Sequence, residues 1–160
     1  DISLKDAVQE SITAMEKLFP EAEHIAEFSA IMKKAVLLAE TETDDLFAIH
    51  QLGEGWVAEE TLAIAVYCAL KYMDDFDKAL RVSVNHNGDS DSTGAVCGNI
   101  LGAYHGYNAI PKKYTEHLEL HDIIIEISDD LCNDCKMSEY GSYKDKVWES
   151  KYICATYPNK

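Results

Sequence analysis

An all-α fold is what this 160-residue chain predicts, and three observations predict it. Apolar residues recur at steps of three and four along most of the sequence, the period of an amphipathic helix. Gly94, Gly98, Gly102 and Gly106 repeat every four residues, which lines them up on one slowly drifting helix face. The best strand-forming run, Ile123-Ile124-Ile125, has no second run to pair with, so helix is the better reading there too. A hydrophobic fraction of 47% and this length suit one globular domain.

The elements follow in order. Leu4, Val8, Ile12, Met15 and Phe19 define a helix over 3–18, with Ser3 as N-cap and Pro20 as stop. A second helix runs from about 22 to 40 and turns Ile25, Phe28, Met32, Ala35, Val36 and Ala39 inward. Residues 40–45 form an acidic connector, in which Thr43-Asp44-Asp45 reads as a solvated helix start. Gly53 and Gly55 bracket Glu54 in a turn. The helix after it, from about 56 to 72, is apolar on most faces and so predicted buried. Asp74, Asp75 and Asp77 open a helix carrying Phe76, Leu80 and Val84. The glycine-striped helix then ends at Gly106 and Pro111, and Leu120, Ile124, Ile127 and Leu131 support one more. From Cys132 onward the texture changes to irregularly spaced aromatics among lysines. The domain reading is therefore a helical body over 1–135 and an aromatic-rich tail over 136–160, of unassigned role.

Charge and cysteines bound the function. Asp plus Glu number 29 against 14 Lys plus Arg, a net charge of −15. That surface repels nucleic acid backbones and anionic membranes and excludes both as partners. No apolar run reaches the roughly 20 residues of a membrane helix, and residues 1–6 lack the basic start and apolar core of a signal peptide. Five scattered cysteines (68, 97, 132, 135 and 154) read as reduced thiols of a cytoplasmic protein. Cys132 and Cys135, despite their redox-motif spacing, read as two ordinary thiols.

The chemistry concentrates in residues 85–94. Asp89, Ser90, Asp91, Ser92 and Thr93 offer five oxygen-bearing side chains in succession at the start of a helix whose dipole favours negative charge. Plain capping by Ser90, Asp91 or Ser92 needs only one of them. Mg²⁺ takes one or two carboxylates plus waters. The residues alone leave capping and a metal or phosphate role both open. An EF-hand loop counted from Asp89 fails, because Ile100 stands where the bidentate Glu belongs. Glycine inside a helix costs about 1 kcal/mol against alanine, so the stripe predicts a central helix that another backbone approaches closely. His86 is expected as a hydrogen-bonded loop histidine and His105 as a packed one.

The run Asn85-His86-Asn87-Gly88-Asp89-Ser90-Asp91-Ser92-Thr93-Gly94, continued by Gly98-Asn99 and Leu101-Gly102-Ala103, resembles the C-terminal metal motif of the ADP-ribosylglycohydrolases of the dinitrogenase-reductase-activating type. Leu52-Gly53-Glu54-Gly55-Trp56-Val57-Ala58-Glu59-Glu60, some thirty residues upstream, resembles the glycine turn and helix that precede that motif. The resemblance implies an orthogonal multi-helix bundle, incomplete in this chain, and a hydrolase that removes ADP-ribose from a modified protein side chain or a related conjugate. It implies a binuclear site for Mg²⁺ or Mn²⁺, with Asp89 and Asp91 as carboxylate ligands and Asp91 the better candidate to bridge the ions. Ser92 stands at the hydroxyl ligand, with Thr93 as its possible substitute. Gly53, Glu54, Gly55 and Trp56 would lie along the adenosine end, Trp56 available for stacking.

The likeness covers about residues 1–131 and the C-terminal half of the family fold only. The family's Gly-Asp-Ala loop, its N-terminal Thr-Asp-Asp triplet and its water-handling acid are not found here; Thr43 to Asp45 sit too close to the glycine turn to be that triplet. The catalytic acid and base are therefore expected in an absent N-terminal half, which becomes an expected partner without which the chain is inactive. The alternative is a non-enzymatic metal- or ADP-ribose-binding or structural member of the same fold. A helical interaction module whose acidic loop only caps a helix is the third.

Overall fold

A computed structural model describes residues 2–132 and, beyond them, Lys146, Ser150 and Cys154. Seven α-helices occur among the described residues: α1 (Leu4–Leu18), α2 (Ile25–Ala39), α3 (Asp45–Leu52), α4 (Ala58–Lys71), α5 (Phe76–Val84), α6 (Ser90–His105) and α7 (His121–Cys132). Short 3-10 turns lie at Tyr107–Ala109 and Lys112–Tyr114. No strand occurs among these residues, and no helix is long and apolar enough to cross a membrane. The chain forms two compact units, Asp1–Lys112 and Lys113–Lys160.

In the first unit the local signals act as expected. The Ser3 hydroxyl accepts the Asp6 N–H at 3.1 Å and starts α1. Asp44 accepts the Phe47 N–H at 3.0 Å and starts α3. Asp75 accepts the Lys78 N–H at 2.9 Å and starts α5. Each such cap satisfies a helix-end donor, worth about 1 kcal/mol. One start differs: α2 begins at Ile25, three residues late, because His24 adopts a left-handed conformation (φ 68°) that breaks the helix.

The centre is α4, not the glycine-striped α6. Residues 63–69 of α4 are all buried, leaving it no solvent face along two turns. It packs against α2 on one side and α6 on another, with α5, α3 and α1 completing the shell. A fully buried aliphatic side chain contributes about 1.5–3 kcal/mol, so this one helix anchors the domain. Cys68 and Cys97 lie in this interior as free thiols. Burial pushes the Cys68 thiol well up and Cys97 to about 11, so both stay protonated and unreactive.

Asp45 corrects the reading of residues 43–45 as a solvated start. Its carboxylate accepts the Tyr67 hydroxyl at 2.7 Å and the Tyr72 hydroxyl at 2.8 Å, and pairs with Lys71 at 3.1 Å. Lys71 also donates to the Thr43 carbonyl at 2.7 Å. Burial pushes the Asp45 carboxyl up, but the bonds from Tyr67, Tyr72 and Lys71 outweigh it and hold the group below the usual carboxylate range. Asp44, by contrast, is an exposed cap as read.

The glycine stripe on α6 also differs from expectation. A Cβ at Gly94 would meet the Val84 side chain at 2.5 Å, one at Gly98 would meet Leu80 at 3.6 Å, and one at Gly102 would meet Ile110 at 3.9 Å. Those neighbours are side chains, and only the first is tight. No backbone grips the stripe. The backbone contact that demands glycine lies outside it, at Gly88.

In the second unit α7 is helical as read, preceded by Leu120 with φ 59°. Ile123, Ile125 and Ile127 are half-buried, while Leu131 is exposed. Cys135 and, apart from Lys146, Ser150 and Cys154, the whole 136–160 tail lie outside the described residues.

Candidate functional site

Residues 85–89 join α5 to α6 and are fixed from within. The Gly88 N–H donates to His86 Nδ1 at 3.1 Å. That acceptor role leaves the ring proton on Nε2, which reaches Thr93 Oγ1 at 2.9 Å. The Thr93 hydroxyl in turn donates to the Ser83 carbonyl at 2.6 Å. Thr93 is fully buried. Its hydroxyl thus ties α6 to α5. Ser92 is half-buried and takes no part in this chain of bonds. His86 is the hydrogen-bonded loop histidine expected. His105, whose Nε2 meets the Met73 carbonyl at 2.6 Å, is packed as expected.

The glycine turn closes on this loop from the other side. The Asp89 N–H donates to the Glu54 carbonyl at 2.8 Å. A Cβ on Gly88 would lie 1.7 Å from that same carbonyl oxygen, so only glycine lets the two backbones meet. Gly55 is buried against the Thr93 methyl and Asp89; a Cβ there would be 3.0 Å from the methyl. The two stretches that the sequence sets thirty residues apart therefore form one assembly. Trp56 flanks it, 65% exposed, with its ring N–H donating to the Glu54 carboxylate at 3.1 Å.

Glu60 belongs to this assembly and was not singled out from the sequence. Its carboxylate accepts the N–H groups of Glu54 at 3.1 Å and Gly55 at 3.0 Å. The available signal was an acid at the third position of a helix, where a side chain turns back to take free N–H groups.

The carboxylates sit at the start of α6. Asp89, rather than Ser90, Asp91 or Ser92, is the N-cap residue, and its side chain makes no capping bond. Asp91, exposed, follows two residues on, in the first turn of α6. A hydrogen bond from Asp89 first, and then the backbone N–H groups of Asp91 and Ser92, hold the Asp91 carboxyl below its ordinary value. Two carboxylates two residues apart at a helix N-terminus offer oxygens of the kind a divalent cation takes. This donor set fits part of a Mg²⁺ or Mn²⁺ shell. Among the described residues no third His, Cys, Asp or Glu joins them, and Asp45 is engaged elsewhere.

The fold and site define an all-helical protein whose paired carboxylates are held at one helix start by a glycine turn. The chain belongs to the ADP-ribosylglycohydrolase family, whose model matches residues 2–141. It is similar to ADP-ribosylhydrolase ARH3 of Homo sapiens, 27% identical over 101 residues, which are 57% of this chain and 28% of that protein. It is likewise similar to ADP-ribosylhydrolase ARH1 of Dictyostelium discoideum, 32% identical over 82 residues, 49% of this chain and 21% of that protein. A third relative is ADP-ribosylarginine hydrolase Tri1 of Serratia proteamaculans, 33% identical over 72 residues, 45% of this chain and 19% of that protein. The chain thus spans less than a third of these relatives' lengths. No solved structure gives a significant match.

Proposed function

We propose that this chain supplies the carboxylate half of the metal site of a hydrolase that removes ADP-ribose from a modified protein side chain or a related conjugate. The observation that carries the reading is the start of α6, where the N-cap Asp89 makes no side-chain capping bond and Asp91 follows two residues on. The family membership and the hydrolase names of its relatives supply the substrate class.

On this reading Asp89, Asp91 and the Ser92 hydroxyl hold Mg²⁺ or Mn²⁺, a pair of ions in the completed site. Bound there, the metal supplies positive charge that orients ribose hydroxyls and steadies charge developing near the anomeric carbon. The chain's own work is positional. The His86–Thr93–Ser83 bonds and the Glu54–Asp89 bond fix the loop before any ligand arrives, so little ordering entropy is lost on binding. Trp56, exposed beside the turn, offers a flat apolar face to the adenine, and Gly53 to Gly55 let the ligand approach the backbone. The remaining metal donors and the acid and base come from the N-terminal half of the same protein.

Two measurements on the full-length protein test this. Calorimetry should show Mn²⁺ or Mg²⁺ binding that is lost in Asp89→Ala and Asp91→Ala. Release of ADP-ribose from an ADP-ribosylated protein should then depend on the same residues. Metal binding without turnover points to the alternative, a non-enzymatic binding member of the fold. No metal binding at all leaves the acidic loop as a helix start and ends the hydrolase reading.

A further inference from the structure

Glu60 occupies the third position of α4, from which a helix-capping acid reaches back to the N–H of its own N-cap. It does not do so here. The N-cap, Val57, has no polar side chain of its own to cap α4, and the Glu60 bonds go elsewhere. The carboxylate goes past it to the N–H groups of Glu54 and Gly55, at 3.1 and 3.0 Å, which belong to the turn rather than the helix. The turn is built around that carboxylate: a Cβ on Gly53 would lie 2.3 Å from Glu60 Cδ, and Gly53 has φ 122°, which favours glycine.

What Glu60 holds is itself a junction. Each polar group of Glu54 is engaged by a different part of the site. Its N–H goes to Glu60, its carbonyl accepts the Asp89 N–H at 2.8 Å, and its carboxylate takes the Trp56 ring N–H at 3.1 Å. The next residue of α4, Thr61, donates its hydroxyl to the Gly55 carbonyl at 2.7 Å and secures the turn's other end. The buried α4 therefore reaches the carboxylate loop through two hydrogen bonds in series, Glu60 to Glu54 and Glu54 to Asp89. Gly88, which has no room for a side chain, closes the contact.

We propose that Glu60 is a positioning residue: its carboxylate fixes the 53–55 turn, and through the Glu54 carbonyl sets where Asp89 is presented to the metal. The proposal rests on the reading of Asp89 and Asp91 as metal ligands. It assigns Glu60 no contact with metal or substrate. The role depends on reach and on acceptor oxygens, and not on charge. Glutamine, which keeps the length and one acceptor oxygen, should serve in its place. Aspartate, which keeps the charge but is one methylene shorter, should not.

The test compares Glu60→Gln and Glu60→Asp in the full-length protein by two readouts, Mn²⁺ affinity from calorimetry and hydrogen exchange of the Asp89 amide without metal. In Glu60→Asp, Mn²⁺ affinity should fall by about 10- to 100-fold, the loss typical of groups that orient a metal ligand, and the Asp89 amide should exchange faster. Glu60→Gln should stay within about 3-fold of wild type in affinity, well inside that loss. Wild-type behaviour of Glu60→Asp in both readouts overturns the proposal, and so does a Glu60→Gln variant as impaired as Glu60→Asp. Absence of Mn²⁺ binding in the wild type instead removes the metal assignment, and the positioning role falls with it. Normal wild-type binding beside an unaltered Glu60→Asp overturns the positioning role alone.

Discussion

Two helices of this domain begin with clustered acids, and they spend them in opposite ways. At α3, Asp44 caps the helix and Asp45 turns inward to two tyrosine hydroxyls and Lys71. A carboxylate saturated by three protein donors has its charge answered inside the fold. At α6, the N-cap Asp89 makes no side-chain capping bond, and Asp91 follows two residues on. The backbone N–H groups of Asp91 and Ser92 answer part of the Asp91 charge, and no side chain of opposite charge joins either aspartate among the described residues. The first cluster is structural by its partners, while the second meets backbone N–H groups but no lysine or tyrosine. Acid content does not distinguish them; the destination of each oxygen does.

The largest expected break in that contrast comes from Asp91→Ala. In the full-length protein it should lower ADP-ribose release by at least about 100-fold, more than the loss of a group that merely orients a ligand. The helical circular-dichroism signal should stay intact, and near-normal release would return the α6 cluster to the structural class. Next is Gly88→Ala, which forces a methyl onto the Glu54 carbonyl and should cost about 3 kcal/mol by overpacking. Denaturant unfolding reads this, and an unchanged midpoint would mean the turn and loop are not held together in solution.

Asp45→Ala is the complementary experiment. It strands Tyr67, Tyr72 and Lys71 without their acceptor and should destabilise by about 2 kcal/mol. ADP-ribose release at saturating Mn²⁺ should be unaffected; a selective loss of activity would make Asp45 functional. Because the folded-state pKa of Asp45 is depressed, its contribution is present above the unfolded value of about 4 and is lost as pH falls through the folded one. The stability gap between wild type and Asp45→Ala should therefore be full at neutral pH and close in acid. The smallest effect belongs to Gly98→Ala. Its Cβ meets Leu80 at an ordinary 3.6 Å, so recovered helix propensity should stabilise by up to about 1 kcal/mol. A marked fall in melting temperature would restore the close-packed stripe.

The helices were legible because their signals are local. Ser3, Asp44 and Asp75 sit within three residues of the N–H groups they accept, and the apolar character of residues 56–72 announces a buried helix without reference to any partner. Asp89 and Asp91 were legible as a motif for the same reason. His24 gave no warning, since its left-handed backbone carries no glycine. The partners of Asp45 lie 22 to 27 residues away in sequence, so nothing nearby distinguishes it from a solvated acid. Glu60 was missed because its position alone predicts an ordinary helix cap, while its real partners lie in the preceding turn. The glycine stripe misled because periodicity shows which residues share a face and not what covers that face.

By itself the sequence determined the helical class, the starts of α1, α3 and α5, the buried character of α4 and the two stretches that mark the family. All of these follow from spacing and side-chain chemistry within a few residues. Only the tertiary structure decided that Asp45 is tied up while the Asp89 side chain makes no capping bond, that Thr93 is spent inside, and that Gly88 is the glycine a neighbouring backbone requires. Those outcomes depend on which groups come within hydrogen-bonding distance after the helices pack, and that distance is not written along the chain.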